Sequence, residues 1–503
     1  MKKTTGFAPR VIYAVLAAVL ALGLFASCGG GGAKTEETAG TAEPPVEISL
    51  AFVFDGVEVP QPGGEIQKLI EAYTNTKLTL NYYSKYGDVY PTLLASGDLP
   101  DVTTALDIPL TKDSMKTGVF WDLKPFMADT NNLKNYHPTI VENSSVDGKM
   151  IGVPKVRPLV RRTIIYRKDW AGKLGLKEPT NIEELYEFLK AFAYNDPDGN
   201  GVKDTYGLST QTDLGIRFFT FLHGAPNVWE PRNGEFVYHF TTPEYLDGLK
   251  FLKRLYDEKI LHPEWATIPR NQFNIIFREG KVLGAFHDST NAFQQLGSPL
   301  EEKIPGASVE SFTHMKNPKG EIRTMGESGH LGWLAIPKTV PEEKAKKIVK
   351  FLDMLADEPM ATLMVWGIEG VHYKVEDGKA VMIPEMESKY VDAVRWPFKL
   401  PFSTVNYEDY ARPGVYSKYV QMQLDVDEEE LKYMVPNPVF PLFSQTYAER
   451  SQSLDQIVND ASVQFINGMI NETQFKAEVA KWKALGGDQV AKEFAEAYAA
   501  LNK

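Results

Sequence analysis

Apolar positions along the chain change rhythm repeatedly, and each change marks an element. VEISLAFVFDG, residues 46–56, is a β-branched and aromatic run closed by Asp-Gly, which predicts a strand entering a loop. Ile66, Leu69, Ile70 and Tyr73 then recur at the spacing of an amphipathic helix, and KLTLNYY (77–83) returns to a strand pattern. YPTLLASGDLPDVTTA (90–105) reads as a helix end, a glycine stop and a short strand. This alternation predicts an α/β chain whose sheet is mostly parallel, with helices on its faces. Such sheets take ligands beyond the carboxyl ends of their strands, so Asp55 and Asp101, both near predicted strand edges, are candidate ligand contacts. The far end is helical: residues 447–469 and 471–502 keep apolar residues three and four apart, and Trp482 is expected in a core. The mixed runs DEEELK and PEEKAKK read as solvated helix faces or starts.

The chain begins differently. Lys2, Lys3 and Arg10 precede VIYAVLAAVLALGLFA (11–26), which carries no charge. That run is shorter than the ~20 residues of a membrane span and suits the apolar core of an export signal. Phe25-Ala26-Ser27-Cys28 follows, holding the one cysteine of 503 residues. It resembles the lipobox of bacterial lipoproteins, with Phe25 where leucine is usual. The resemblance implies cleavage before Cys28 and a diacylglycerol on its sulfur. A secretory signal with an incidental cysteine is the alternative. An exported chain with a single thiol has no disulfide to form, whereas two acyl chains hold a protein at a membrane where one is marginal. Residues 1–27 are thus expected to be a signal peptide. Residues 28–46, rich in Gly, Ala, Thr and Glu, are expected to be a flexible tether.

Charge and composition narrow the rest. The formal charge of −12 becomes −15 when Lys2, Lys3 and Arg10 leave with the signal, with 51 basic against 66 acidic residues, which argues against a nucleic-acid partner. About 455 residues beyond the tether are too many for one core and suggest two or more lobes. Aromatics at 12%, with eight tryptophans, suit flat amphipathic ligands as well as cores. No HExxH, GxSxG, Walker A or strand-borne GxGxxG occurs. Abundant carboxylates leave a surface glycoside hydrolase or lyase open as a second reading.

NDPDGNGVKDTYG (195–207) is the sharpest local motif. Asp196, Asp198, Asn200, Gly201, the Val202 carbonyl and Asp204 fall at positions 1, 3, 5, 6, 7 and 9 of a calcium loop, where alternate oxygens converge on one point. Position 12, a bidentate Glu in an EF-hand, is Gly207. A structural Ca2+ is expected. The other reading is a surface turn after the helix IEELYEFLKAFAY (182–194).

LLASGDLPDV (93–102), WDLKPFM (121–127), residues 151–192 from IGVPKVRPLVRRTIIYRKDW onward, FREGKVLGAF (277–286) and GWLAIPKTVPEEKAKKIVKFLDML (332–355) resemble, in this order, family 1 extracellular solute-binding proteins. The nearest group is the large lipoproteins of carbohydrate ABC importers, similar to alginate-binding and maltose-binding proteins. The resemblance implies a binding protein rather than an enzyme, with a two-lobed periplasmic-binding-protein type II fold whose hinged lobes close on a sugar or oligosaccharide. It further implies a monomer, anchored by lipid on the outer or periplasmic side of the cell membrane, that serves an ABC permease. It assigns 47–158 and 286–334 to the N-lobe, and 159–285 and 335–503 to the C-lobe. RPLVRRTIIYRK, KVLGAFHDST and GHLGWLAIP become the crossings between lobes, which puts His287, Asp288 and Trp333 at the cleft floor. Alginate-binding relatives carry a similar calcium loop with an acidic residue just after the position of Asp204. Here that residue is Thr205, so one carboxylate is missing.

Sugar rings want aromatic faces for their C–H surfaces, which makes Trp121, Trp229, Trp333, Trp366 and Trp396 candidate platforms, with burial in a core as the alternative for each. Arg157, Arg161 and Arg162 at the first crossing offer planar donors to a hydroxyl-rich or anionic solute, or pair with the many acids. His287 also reads as a hydrogen-bonded structural histidine; Arg412 and Asn437 complete the candidates. A peptide-binding lipoprotein is a third reading. The lipid anchor makes a direct prediction: Cys28→Ser moves the protein from the salt-washed membrane fraction to the soluble fraction, and retention in the membrane would refute the anchor.

Overall fold

The strand Val46–Val53 organises one of two principal sheets. It pairs in parallel with Thr76–Tyr83 along its whole length, from Val46 opposite Thr76 to Val53 opposite Tyr83, and with Val102–Ala105 on its other side. His330–Ala335 adds antiparallel beyond Val102–Ala105, and Gly152–Val156 closes the five-stranded sheet. The computed structural model describes residues 43–54, 59–280, 282–290 and 292–502, without the side chain of Arg270. Cys28, the signal, the tether up to residue 42 and Asp55 lie outside the described residues. Residues Pro45–Lys503 form one compact unit.

Strand alternation sends the two faces of Val46–Val53 into different cores. Ile48, Leu50 and Phe52 pack with Ile348, Phe351 and Leu352 of the helix Glu342–Met354, while Ala51 packs with Tyr86, Tyr90 and Trp333. Burial on both faces is what a mostly parallel sheet requires. The expected helix forms as Glu65–Thr74, with Ile66 and Ile70 buried, and ends where Asn75 turns left-handed at φ 51°. Asp353 ties the covering helix to the sheet's periphery: its carboxylate accepts from the backbone N–H groups of Asn131, Asn132 and Leu133 at 2.9, 2.8 and 2.9 Å.

The second sheet has the order Val309–Ser311, Arg162–Arg167, Leu283–Ser289, Tyr206–Thr210. Arg162–Arg167 runs antiparallel to both neighbours, and Tyr206–Thr210 runs parallel to Leu283–Ser289. Its large core takes the helices Ile182–Tyr194, Thr212–Leu222 and Pro243–Asp257. The C-terminal helices Gln445–Ile466, Glu472–Trp482 and Asp488–Leu501 join it through Leu454, Phe465, Phe475, Trp482 and Phe494.

Three segments sit differently from expectation. KVLGAFHDST supplies the strand Leu283–Ser289, all seven residues of which are buried inside the four-stranded sheet, so it is not a crossing. Leu283–Ser289 and Val309–Ser311 therefore both pair in this sheet, and the next strand to join the five-stranded one is His330–Ala335. Conversely, the helices Glu342–Met354 and Glu358–Trp366 stay in the core of the five-stranded sheet, because their apolar faces cover Ile48, Leu50 and Phe52.

The helix Lys418–Leu431 docks through an apolar and a polar edge. Tyr419 and Val426 are buried with Phe293 and Leu296. Alongside, Thr290 Oγ1 donates to Asp427 at 2.7 Å and Thr324 Oγ1 donates to Glu430 at 2.6 Å. Burial pushes the Asp427 carboxyl up to about 7 against its bonds from Thr290 and Gln423. Burial also pushes Glu430 up to about 7, opposed by Thr324 and His314 and helped by Asp427 and Glu429. Both groups hold protons in the folded state that the unfolded chain gives up near pH ~4. Their contribution to stability is therefore full below about pH 4 and is lost as the pH rises to about 7. Between about pH 5 and about pH 8 the unfolding free energy is expected to fall by about 5 kcal/mol more in the native protein than in an Asp427→Asn/Glu430→Gln variant. Urea unfolding at each pH checks this, and parallel curves would refute it.

Candidate ligand cleft at the crossing between the sheets

Both sheets direct their carboxyl edges to one crossing. Gly152–Val156 ends there and leads through residues 157–161 into Arg162–Arg167 of the other sheet, and Leu283–Ser289 ends beside Arg162. The return segment, residues 326–329, runs antiparallel to the first. Glu327 N donates to Leu159 O at 2.7 Å and Arg157 N donates to Gly329 O at 3.0 Å. A third segment joins them: Thr324 N and Gly326 N donate to the carbonyls of Tyr433 and Val435 at 2.9 and 3.0 Å. Asn227 Nδ2 locks the trio, donating to Gly326 O at 2.7 Å and Val435 O at 2.8 Å. Gly326 is needed by this closeness, since a Cβ there would stand 2.7 Å from Val435 O.

Charge concentrates on these segments. Arg162 Nε donates to Glu327 Oε1 at 2.6 Å, with both side chains largely buried. Burial works to raise the Glu327 carboxyl, but the guanidinium of Arg162, with Arg157 and Arg217 beyond it, holds it below the usual range. Burial lowers Arg157 from its ordinary value, with Arg162 adding and Glu327 opposing. His287 is fully buried, its Nδ1 2.9 Å from Thr210 Oγ1 and its ring stacked 4.2 Å from Phe218. Burial and the Arg162 charge push it well below its usual value, so it is neutral. Asp288, beside it, accepts from Gln211 Nε2 at 3.1 Å and from Ser289 N at 2.7 Å. Arg161 is half-buried and its carbonyl accepts from Thr290 N at 2.8 Å.

The crossing thus gathers Arg157, Arg161, Arg162, His287 and Asp288. It also brings in residues that sequence reasoning missed. Arg217 comes from the helix Thr212–Leu222, where a lone cation in TDLGIRFFTFL was the available signal. Glu327 sits between glycines in GESGH. Away from the crossing, at the carboxyl end of the edge strand Thr76–Tyr83, Tyr83 is half-buried beside Tyr86, whose buried hydroxyl has no hydrogen-bond partner.

Other candidates lie elsewhere. Asp101 precedes its strand, at the amino edge of the sheet, where it accepts from Ser49 N at 2.8 Å and pairs with Lys344 Nζ at 2.6 Å; it is a clamp between strand and helix. Trp333 is fully buried with Nε1 donating to Ser144 O, and Trp366 is buried with Nε1 donating to Arg412 O and its ring stacked on Tyr416. Trp229 is packed among Tyr238, Trp482 and Phe494. The faces of these three rings are covered by protein, so they serve cores rather than platforms. Trp121 is half-buried against the core of the five-stranded sheet, with Nε1 bonded to Val340 O at 2.9 Å. Trp396 is half-buried in the wide helical turn Val391–Lys399. Arg412 pairs with Glu369 at 3.3 Å, and buried Asn437 caps Val439 N at 3.3 Å.

The loop after Ile182–Tyr194 forms a tight turn around Asp196, whose carboxylate accepts from Gly199 N, Asn200 N and Gly201 N at 3.0–3.1 Å. Asn200 Nδ2 donates to Asp198 at 2.8 Å and Asp204 at 3.2 Å, standing where a cation would bring three oxygens together. Burial, with Asp196 and Asp204 adding, pushes the Asp198 carboxyl up. Among the described residues no group of three or more His, Cys, Asp or Glu side chains is placed to hold a metal. Turned over, the Asn200 amide would face Asp198 and Asp204 with its oxygen in place of its nitrogen. Position 12 cannot contribute: Gly207 is in a strand where a Cβ would lie 2.2 Å from Leu189 O. Thr205 is buried, donating to Phe192 O at 2.8 Å.

Residues 58–361 match the family described as bacterial extracellular solute-binding protein. The chain is 33% identical, over 97% of its length and 98% of the relative's, to the polygalacturonan/rhamnogalacturonan-binding protein YtcQ of Bacillus subtilis. It is 30% identical, over 92% and 94%, to lipoprotein LipO of the same organism. Its fold is similar to that of the calcium-free alginate-binding protein AlgQ2, with a TM-score of 0.66 over 91% of this chain and 98% of that one at 20% identity. With a family match over more than half its length and a relative alignable from end to end, this chain belongs to the bacterial extracellular solute-binding proteins.

Proposed function

We propose that the chain captures an oligosaccharide outside the cell, in the cleft where the carboxyl edges of its two sheets meet, and hands it unaltered to an ABC permease. In this reading the lobes are the five-stranded and four-stranded sheets with their helices, and they close by rotation about the paired segments 157–161 and 326–329. The observation that carries it is the set of buried polar groups around the crossing that lack hydrogen-bond partners: Arg157 Nε, Arg217 Nε and His287 Nε2. Buried polar groups are nearly always satisfied, and a hydroxyl-rich ligand supplies donors and acceptors together. The polysaccharide-binding names of YtcQ and AlgQ2 support a saccharide, and LipO supports the lipid at Cys28.

The loop 196–204 is read as a structural calcium site held by Asp196, Asp198, Asn200, the Val202 carbonyl and Asp204. A bound cation would offset the mutual repulsion of three carboxylates.

Two experiments follow. Calorimetric titration of chelator-stripped protein with CaCl2 is expected to show one site that Asp196→Ala removes; no heat up to millimolar calcium would refute it. In a thermal-shift screen of oligosaccharides against peptides, at least one saccharide is expected to stabilise the protein, by about 2.7 kcal/mol at a hundredfold excess over Kd. Solution scattering should contract with that sugar, and the sugar should be recovered intact. Stabilisation by peptides alone, or a cleaved sugar, would overturn the reading.

A further inference from the structure

Four arginines and few acids meet at the crossing, and the acids are already engaged. Arg162 gives its Nε to Glu327. Asp288 is occupied by Gln211 and by its own chain. Asp455, which feels the charge of Arg217, accepts from Tyr447 Oη at 3.0 Å, and burial pushes its carboxyl up toward the neutral form. Arg157 and Arg217 are left sharing the field of the one Glu327 that Arg162 already holds. The Nε of each is buried without a hydrogen-bond partner.

The positions of these two groups are informative. Arg157 follows directly on the carboxyl end of Gly152–Val156, in the five-stranded sheet. Arg217 lies in the second turn of Thr212–Leu222, the helix that begins after the carboxyl end of Tyr206–Thr210, in the four-stranded sheet. One guanidinium therefore comes from each side of the crossing. That helix has no side-chain cap at its N-terminus, so its first N–H groups and its dipole add to the positive field on the same edge.

We propose that Arg157 and Arg217 form a seat for a carboxylate of the bound saccharide, so that the ligand class is an acidic, uronate-bearing oligosaccharide. This rests on the cleft reading above and narrows it. A carboxylate is planar and offers two oxygens to the fork of a guanidinium, which a neutral hydroxyl does not. Its charge balances cations that the protein leaves uncompensated, and its oxygens accept from the orphaned Nε donors. Because the two arginines sit on opposite sides of the crossing, a carboxylate held by both also favours closure over an open cleft.

The test uses trisaccharides of galacturonate, mannuronate and guluronate, each beside its full methyl ester, titrated calorimetrically into the intact protein. At least one acid is expected to bind about tenfold or more tighter than its ester. Raising NaCl from about 20 to about 500 mM should weaken the acid and leave the ester unchanged. Arg157→Gln and Arg217→Gln should each weaken the acid by a larger factor than they weaken its ester, so that the acid's advantage shrinks toward parity. The salt dependence stands on the native protein even if a variant fails to fold. Esters or neutral oligosaccharides binding as tightly as acids would overturn the carboxylate seat and leave the cleft reading intact. Absence of binding by acids, esters and neutral oligosaccharides alike would overturn both.

Discussion

Arg162 and Glu327 meet at 2.6 Å on two segments that run antiparallel between the sheets, and the rest of the molecule is arranged around that meeting. Each belongs to a stretch whose two ends enter different sheets. The backbone bonds of Leu159 with Glu327 and of Arg157 with Gly329 make these stretches a narrow ribbon instead of two independent linkers. A buried ion pair is weak evidence for added stability, since desolvation offsets most of its attraction. Its value here is register: it fixes which residues of one strand face which of the other, and so how the two sheet edges are presented. Gly326 and Gly329 allow the approach, the latter at φ 78° with no room for a side chain beside Leu159.

Around that ribbon the chain separates packing from chemistry. Trp229, Trp333 and Trp366, for all their suitability to sugars, are spent on cores. The groups left underused are polar and sit at the crossing. What the crossing offers is hydrogen-bonding groups and charge more than aromatic faces. The neutral His287, sealed between Thr210 and Phe218, stiffens the floor without adding charge to it.

Much of this was legible in the residues. The βαβ rhythm of 46–105 and the Ile66/Ile70 stripe hold because burial on both faces leaves a continuous apolar signature. RPLVRRTIIYRK, read as a crossing, begins as the link from Gly152–Val156 and continues as the strand Arg162–Arg167 of the other sheet. KVLGAFHDST misled because His287 and Asp288 look like site residues in a loop, whereas hydrogen bonding from Arg162–Arg167 and Tyr206–Thr210 on either side makes them the end of a central strand. Tryptophans were ambiguous for a physical reason: a ring that suits a sugar face suits a core equally well. Asp101 was misplaced because local pattern locates a strand edge without saying which end of the sheet it faces. Arg217 and Glu327 stayed hidden because their meaning comes from each other, across 110 residues of sequence.

Gly207 has a consequence beyond the loop it follows. It lies where the helix Ile182–Tyr194 presses on the sheet, so closely that the Leu189 carbonyl and the Ile260 side chain occupy the volume of any β-carbon. Supplying the missing glutamate there would wedge apart the layers of the domain before it could reach an ion. A descendant of this protein that came to need a tighter cation grip would have to find the extra oxygen at a neighbouring position, or give up the seal between helix and sheet to obtain it.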